Sequence, residues 1–228
     1  MTGTKSDLPQ ACVFDAYGTL FDTASAAARF SRELGARREV LQTTWRHKQL
    51  QYTWLRTVQG RHADFLQVTA DALDYALETL GLQNGALRDK LLDAYRTLDL
   101  FPEVRAVLEG LGRRGIRTAI LSNGTPKMLG ELCDASGISG LLDAVLSVED
   151  AGVYKPHPKV YQLAVDRLGV PPHAISFQSS NGWDAWAASA FGMRVVWCNR
   201  TGERPEHLPG RPDYEVKSLA ELPWLDGA

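Results

Sequence analysis

Short apolar runs alternate with helical patterns along most of this chain, and this alternation restricts its fold more than any other feature. The apolar runs, which have the composition of buried strands, cover residues 11–14, 118–121, 144–148, 174–177 and 194–198. The helical patterns between them cover residues 102–114, 127–136, 158–168 and 183–191. Strands that alternate with helices are typical of a parallel sheet. The sequence therefore predicts an α/β fold in which helices flank both faces of a parallel sheet.

A long segment without strand signals separates the first apolar run from the second. Apolar residues recur in it at helical spacing, first Trp45, Leu50, Trp54 and Leu55, then Phe65, Val68, Leu73 and Tyr75. Gly60 and the pair Asn84 and Gly85 are turn signals that divide it. A chain of 228 residues has room for a core with an insertion. We expect a core domain of residues 1–22 and 99–228 and a helical cap domain of residues 23–98.

Polar residues cluster at the ends of the apolar runs or shortly after them. Asp15 follows the first run directly, and the other clusters contain Ser122, Asn123, Lys155, Ser179, Asn181 and Asp184. Open α/β sheets bind ligands at the carboxyl ends of their strands, so these clusters indicate one site. Asp15 is the candidate nucleophile, because a desolvated and well-positioned carboxylate attacks carbon efficiently. We expect Thr19, four residues further on, to hydrogen-bond the Asp15 carboxylate.

The charge balance and the cysteines bear on partners and location. The 25 basic and 27 acidic residues give a net charge of −2, which does not favour binding to nucleic acid or to an acidic membrane. No stretch reaches the ~18 apolar residues of a membrane span. Residues 1–10 are polar, so we expect a lead-in segment rather than a signal sequence. Cys12, Cys133 and Cys198 form no CxxC pair, which favours a reduced, cytoplasmic setting.

One glycine pattern imitates a dinucleotide-binding fingerprint. Residues 110–115 read GLGRRG, which matches GxGxxG. They lie at the end of a predicted helix and before a predicted strand, whereas the nucleotide site needs the order strand, turn and helix. We therefore expect no dinucleotide cofactor at this position.

Five motifs occur in an order that resembles one known family. They read DAYGTLFD (15–22), WRHKQLQYTW (45–54), LSNG (121–124), VYKP (153–156) and SSNGWD (179–184). This series resembles the L-2-haloacid dehalogenases of the haloacid dehalogenase superfamily, from Val13 to about Thr201. The resemblance implies a Rossmann-like core with an inserted helical-bundle cap, a homodimer, and a site that uses neither metal nor cofactor.

The resemblance also implies a reaction, the hydrolytic removal of halide from short L-2-haloalkanoic acids to give D-2-hydroxy acids. Asp15 would attack C2 from the face opposite the halogen, which inverts the centre and leaves an ester on Asp15. Water would then attack the carbonyl carbon of that ester rather than the substrate.

Two positions distinguish this chain from the magnesium phosphatases of the same superfamily. Those enzymes carry DxDx[TV] in the first motif, where the second Asp protonates the leaving oxygen, and this chain has Tyr17 there. They also carry GDxxxD in the last motif, where this chain has Ser180 in place of a magnesium-binding Asp. Magnesium prefers an oxygen shell that includes carboxylates. Halide leaves without a proton, so the loss of both acid and metal ligand fits carbon–halogen cleavage.

The resemblance assigns residues to the halide and to the substrate carboxylate. Arg46 in the cap would reach the departing halide, and Asn123 would assist it from the core. A cation and amide donors in a dry pocket stabilise developing negative charge. Ser122 and Lys155 would meet the substrate carboxylate, and the Lys155 ammonium would also keep Asp15 ionised.

Further residues would serve ester hydrolysis and enclose the substrate. Ser179, Asn181 and Asp184 form the hydrolytic side, and Tyr161 joins their network. Asp184 is the first candidate to activate water and Lys155 the second; because the two groups are coupled, the sequence leaves both open. The resemblance places the remaining substrate-binding residues along the pocket wall, Ala16, Tyr17, Leu50, Phe65 and Trp183.

Two other functions remain as alternatives. The first is a phosphatase of the same superfamily, which predicts activity that chelation removes and no release of halide. The second is a catalytically silent binding protein that has kept the scaffold, which predicts no turnover of any haloacid and ligand affinity that Asp15→Ala leaves unchanged.

Overall fold

The computed structural model describes residues 8–225, and a parallel sheet lies at its centre. Numbered in chain order, its strands are β1 (Ala11–Phe14), β2 (Phe21–Asp22), β3 (Asp99–Leu100), β4 (Arg117–Ser122), β5 (Ala144–Ser147), β6 (Ile175–Ser179), β7 (Arg194–Cys198) and β8 (Tyr214–Val216). Six of them form one parallel sheet in the order β5-β4-β1-β6-β7-β8. The five predicted strands are confirmed to within two residues at each end. β8 has only three residues, too few for its sequence to predict it.

The register of the sheet brings the polar clusters to one edge. β1 is buried along its whole length and has β4 and β6 as neighbours, as is usual for a central parallel strand. Phe14 lies level with Ile120 on one side and with Gln178 on the other. The three central strands therefore end together, and Asp15 begins the loop at that edge.

Four helices flank this sheet in the second part of the chain. With the five helices of the segment before β3 counted first, they are α6 (Val104–Arg113), α7 (Pro126–Ala135), α8 (Pro158–Leu168) and α9 (Gly182–Phe191). α6 and α8 pack against β4, α7 packs against β5, and α9 packs against β6 and β7. The four predicted helices are confirmed with small changes at their ends. The GLGRRG sequence lies at the end of α6 and before β4, in the order that the nucleotide fingerprint does not use.

The segment between β2 and β3 is helical. Its helices are α1 (Ser25–Ala28), α2 (Ser31–Leu34), α3 (Arg38–Gln59), α4 (Phe65–Thr79) and α5 (Gly85–Tyr95). The chain leaves the core through β2 and returns through β3, which pair antiparallel, Phe21 with Leu100 and Asp22 with Asp99. The division into residues 1–22 with 99–228 and residues 23–98 remains a prediction.

The apolar face expected on α3 is partly wrong. Trp45 is buried and Leu50 is half-buried, but Trp54 and Leu55 are exposed to 36% and 48%. The residues of α3 that are buried recur at every fourth position, Leu41, Trp45, Gln49 and Thr53. Two polar side chains lie on this buried face, so the apolar spacing alone does not identify it. In α4, Phe65, Val68 and Leu73 are buried, whereas Tyr75 is exposed.

Several other expectations concern the termini, the membrane and the cysteines. Residues 1–7 lie outside the described residues, so the predicted lead-in is described only from Leu8 onward. Among the described residues, no helix is both long and apolar enough to cross a membrane. Cys12, Cys133 and Cys198 are buried free thiols.

Two glycines in the loop after β7 provide a matched test of how closely that loop packs against α9. Both have positive φ, +74° at Gly202 and +88° at Gly210. A Cβ at Gly202 meets nothing within 4 Å, whereas one at Gly210 would lie 2.4 Å from the Trp186 carbonyl oxygen. We expect Gly202→Ala to lower the free energy of unfolding by about 1–2 kcal/mol because of φ alone. Gly210→Ala should cost about 1–3 kcal/mol more because of the clash.

Urea denaturation of both variants measures this difference. Equal losses at the two positions would contradict the close packing of this loop against α9.

Candidate active site

The Asp15 carboxylate is held by hydrogen bonds from four side chains. Thr19 Oγ1 lies 3.1 Å from Asp15 Oδ2, Asn181 Nδ2 lies 2.7 Å from it, and Ser179 Oγ lies 3.4 Å from it. Lys155 Nζ lies 3.1 Å from the other oxygen, Oδ1. Asp15 is only 6% exposed. These contacts fix the orientation of a desolvated carboxylate, as a carboxylate nucleophile requires.

The loop that carries Asp15 owes its shape to the backbone around it. The Asp15 N–H donates to the Gln178 carbonyl, and the Ala16 carbonyl accepts from the N–H groups of the three residues at 19–21. Thr19 Oγ1 also accepts from the Ser180 N–H at 2.8 Å. Thr19 therefore connects the end of β1 to the end of β6 while it hydrogen-bonds the Asp15 carboxylate.

Lys155 lies between two carboxylates. Its Nζ is 3.1 Å from Asp15 Oδ1 and 2.8 Å from Asp184 Oδ2, and the side chain is 1% exposed. Burial lowers the pKa of Lys155, but the neighbouring Asp15 and Asp184 carboxylates outweigh burial and raise the pKa above its ordinary value. The backbone N–H of Lys155 donates to Asn123 Oδ1 at 3.2 Å. The structure thus places a charged ammonium in the interior of the site.

Asp184 is the second carboxylate of the site and is fully buried at the start of α9. Burial raises its pKa, an effect that the Lys155 ammonium opposes. Tyr161 OH donates to Asp184 Oδ1 at 2.7 Å and also favours the ionised form. The pKa of Tyr161 itself is raised, by burial first and then by Asp184. Tyr161 therefore remains a hydrogen-bond donor to this carboxylate.

Arg46 reaches the site from α3, on the cap side. Its Nη2 is 3.3 Å from both the Tyr17 carbonyl and Asn181 Oδ1. Its Nη1 donates to Gln49 Oε1 at 2.8 Å. Asn181 thus contacts Arg46 through its oxygen and Asp15 through its nitrogen.

Aromatic rings from the Asp15 loop, α4 and α5 pack together beside these polar side chains. The Tyr17 ring lies 5.2 Å from Phe65 and stacks at 5.4 Å on Tyr95, between ring centroids. Burial raises the pKa of Tyr17. A Cβ at position 124 would lie 2.9 Å from the Tyr17 ring, so Gly124 allows this approach.

Tyr95 and Gln49 are site residues that the sequence did not predict. The one sequence signal for Gln49 is its position four residues after Trp45, which itself lies four residues after Leu41.

The remaining predicted residues lie near this centre without joining its hydrogen bonds. Ser122 is buried, and its Oγ accepts from the Gly124 N–H at 3.2 Å. Leu50 is half-buried on α3. Trp183 is half-buried, and its ring meets Trp54 of α3 edge-on at 5.4 Å. Among the described residues, no hydrogen bond joins Ser122 or Trp183 to Asp15.

The donor set of this centre does not fit a divalent cation. The Lys155 ammonium lies between Asp15 and Asp184, where a cation bridging the two carboxylates would bind. Ser180 presents a buried hydroxyl in place of a carboxylate. Within residues 8–225, no group of three or more His, Cys, Asp or Glu side chains is arranged to hold a metal ion.

Comparison with known proteins gives the same family from sequence and from structure. Residues 9–192 match the haloacid dehalogenase-like hydrolases. (S)-2-haloacid dehalogenase 1 of Pseudomonas sp. strain CBS-3 is 44% identical, over 95% of this chain and 96% of its own length. (S)-2-haloacid dehalogenase 4A of Burkholderia cepacia is 45% identical, over 95% of this chain and 94% of its own.

A solved structure extends the similarity to the arrangement of the whole chain. The L-2-haloacid dehalogenase from Xanthobacter autotrophicus, solved with chloropropionic acid covalently bound, superposes with a TM-score of 0.89. It is 38% identical and covers 96% of this chain and 98% of its own. Together with the parallel sheet and the buried Asp15, these similarities lead to one conclusion. The chain belongs to the haloacid dehalogenase-like hydrolases.

Proposed function

We propose that this protein hydrolyses short L-2-haloalkanoic acids to D-2-hydroxy acids and halide through an ester on Asp15. The observation that carries the proposal is the buried Asp15 carboxylate, fixed by Thr19, Asn181 and Lys155 at one edge of the sheet. The covalently bound chloropropionic acid in the Xanthobacter autotrophicus relative supports an ester intermediate.

In the first step a carboxylate oxygen of Asp15 forms a bond to C2 while the carbon–halogen bond breaks. The halide departs with the bonding electron pair, so the step needs no acid. Attack opposite the halogen inverts C2. Arg46 and Asn123 receive the halide, and Arg46 is suited to this because its guanidinium faces Asn181 on the cap side of Asp15. Ser122 and Lys155 bind the substrate carboxylate, and positioning of this kind supplies a large share of the rate.

In the second step water attacks the Asp15 carbonyl carbon, and the bond from that carbon to the alkoxide oxygen breaks. The alkoxide leaves as the hydroxy acid with the proton that Asp184 has taken from the water, and the other water proton goes to solvent as the Asp15 carboxylate re-forms. Asp184 accepts the proton of that water, because it is a buried carboxylate whose pKa is raised by burial. Lys155, charged between its two carboxylates, is the less suitable base. Thr19, Ser179 and Asn181 already donate to Asp15 and stabilise the negative charge that forms on its oxygen.

The reaction proceeds without metal or cofactor in this proposal. The positive charge that a magnesium ion supplies in related phosphatases comes here from Lys155. Tyr17 replaces the general acid of those enzymes, and its pKa, which burial raises, makes it a weak proton donor.

We assign residues 23–98 to a cap domain and the remainder to the core, and we propose a homodimer. The exposed end of α3 supports an interface there, because Trp54, Leu55 and Val58 are 36%, 48% and 85% exposed. Exposed apolar clusters of this kind are typical of association surfaces.

We also propose a cytoplasmic location. The support is the state of the cysteines, which are free and buried. Burial raises the pKa of the Cys133 thiol to about 11, so it is unreactive at neutral pH. Fractionation of cells that express the protein tests the location directly.

The ester intermediate is tested by one turnover in ¹⁸O-water with enzyme in excess over L-2-chloropropionate. We expect unlabelled D-lactate and ¹⁸O in Asp15, because water attacks the carboxyl carbon of the enzyme. Mass spectrometry of the peptide that contains Asp15 measures the label. Asp15→Asn should release no chloride in its first turnover.

Label in the product of that first turnover would contradict the ester and mean direct attack by water. Phosphatase activity that chelation removes, without chloride release, would support the phosphatase alternative instead.

The role of Asp184 predicts a pH dependence. Activity requires the Asp184 carboxylate ionised, so the rate of ester hydrolysis falls as the pH drops through its raised pKa. Tyr161→Phe removes a hydrogen bond that favours the ionised form, and the acidic limb should therefore move to higher pH. Single-turnover rates from pH 4 to pH 9 locate the limb.

Tyr154→Phe is the matched control, since Tyr154 OH donates to the Ala63 carbonyl rather than to Asp184. A limb that stays in place in Tyr161→Phe, or that moves equally in both variants, would remove Asp184 from the proposed role.

The homodimer is tested by sedimentation equilibrium. We expect the wild type to have twice the 25.1 kDa mass of the chain. Leu55→Glu combined with Val58→Glu should give the monomer mass, because two charges would enter the apolar contact. Val145→Glu, at a valine that is 42% exposed on β5, should leave the dimer intact. A monomeric wild type would refute the proposed assembly.

A further inference from the structure

A buried glutamine, Gln49, accepts a hydrogen bond from the Arg46 guanidinium. Gln49 is one turn further along α3 and is 1% exposed. Its Oε1 accepts from Arg46 Nη1 at 2.8 Å, whereas the two contacts of Nη2 are longer, both 3.3 Å. The hydrogen bond to Gln49 is therefore shorter than either contact of Nη2.

Other cap residues fix the direction of this amide. Tyr95 OH donates to Gln49 Oε1 at 3.1 Å, so the oxygen accepts from two donors. Gln49 Nε2 donates to Thr69 Oγ1 at 2.7 Å, and Thr69 Oγ1 donates in turn to the Phe65 carbonyl at 2.6 Å. A flipped amide would place its NH₂ group against the Arg46 guanidinium, which can only donate, and its oxygen against Thr69 Oγ1, whose proton goes to the Phe65 carbonyl. The network allows one orientation, with the oxygen toward Arg46.

We infer that Gln49 is the positioning residue of the halide site, and that its amide holds the Arg46 guanidinium in the orientation that receives the departing halide. The inference rests on the proposed function. Gln49 acts only through Arg46, since it contacts neither Asp15 nor Asn181 in the part of the chain that the structure describes.

The neutral charge of the amide is part of this role. A carboxylate at position 49 would also accept from Arg46 but would pair with its positive charge. An arginine paired in this way attracts an anion less strongly. Glutamine orients the guanidinium and leaves its charge for the halide. Because Gln49 itself is fixed by α4 and α5, the arginine does not have to be ordered when substrate binds.

The test compares leaving groups in Gln49→Met, which keeps the size of the side chain and removes the acceptor. Chloride has the stronger bond to carbon and the more concentrated charge, so its departure depends more on a well-placed cation. We expect ester formation from L-2-chloropropionate to slow by about 10- to 100-fold. The corresponding step with L-2-iodopropionate should slow by less than about threefold. Rapid-quench single turnovers measure both rates.

Gln49→Glu should give the same selective loss, through charge pairing instead of disorder. In an Arg46→Lys background, Gln49→Met should have little further effect, because the group that it positions is gone. Thr53→Val is the matched control. Thr53 is also buried on α3, and its hydroxyl donates to the Leu50 carbonyl, outside this network. It should slow both substrates equally or leave both unchanged.

Equal slowing of both substrates in Gln49→Met would overturn the inference and make Gln49 a packing residue. Chloride binding to the free enzyme, followed by ³⁵Cl line broadening, is a separate readout and should weaken in Gln49→Met but not in Thr53→Val. A wild type that turns over no haloacid refutes the proposed function. The inference about Gln49 is then decided by chloride binding alone, and unchanged binding refutes it.

Discussion

A buried ammonium between two carboxylates is the interaction on which the rest of the site depends. Without Lys155, Asp15 and Asp184 would be two like charges in the interior, and at least one would take up a proton. Breaking a buried pair in this way typically costs about 3–5 kcal/mol. With Lys155 in place the two carboxylates share one buried counterion, and in the proposed reaction one attacks carbon and the other activates water. A single side chain thereby supplies the positive charge that both buried carboxylates contact.

The side chains of the candidate active site come from distant positions in the chain. Asp15 follows β1, Lys155 precedes α8, and Asp184 lies in the first turn of α9. The parallel register brings them to one edge of the sheet. Arg46 comes from α3, in the helical segment between β2 and β3. The sheet therefore positions the proposed nucleophile and its proposed hydrolytic partners, while the helical segment provides the proposed halide site.

The sequence predicted the sheet and the gathering of polar side chains at its edge because strand ends carry strong local signals. Asp15 and Ser179 each lie at or just after the end of an apolar run, and their hydrogen bond follows from the register of β1 with β6. The cap was harder to predict. The buried face of α3 includes Gln49 and Thr53, whose burial depends on partners in other helices that no local pattern shows. Tyr95 was missed for the same reason, since its contact with Tyr17 joins residues far apart in the chain.

Asn181 links the nucleophile proposed at the edge of the sheet to Arg46 on α3. Its amide nitrogen holds Asp15 and its amide oxygen accepts from Arg46, so one planar group is shared between sheet and cap. The amide nitrogen also donates to the Tyr17 carbonyl at 3.2 Å, so neither bond of this nitrogen involves α3. A displacement of α3 would therefore break the contact with Arg46 and leave the hydrogen bond that orients Asp15 in place. The aim of the carboxylate and the placement of the guanidinium are in this sense separable, although one side chain touches both.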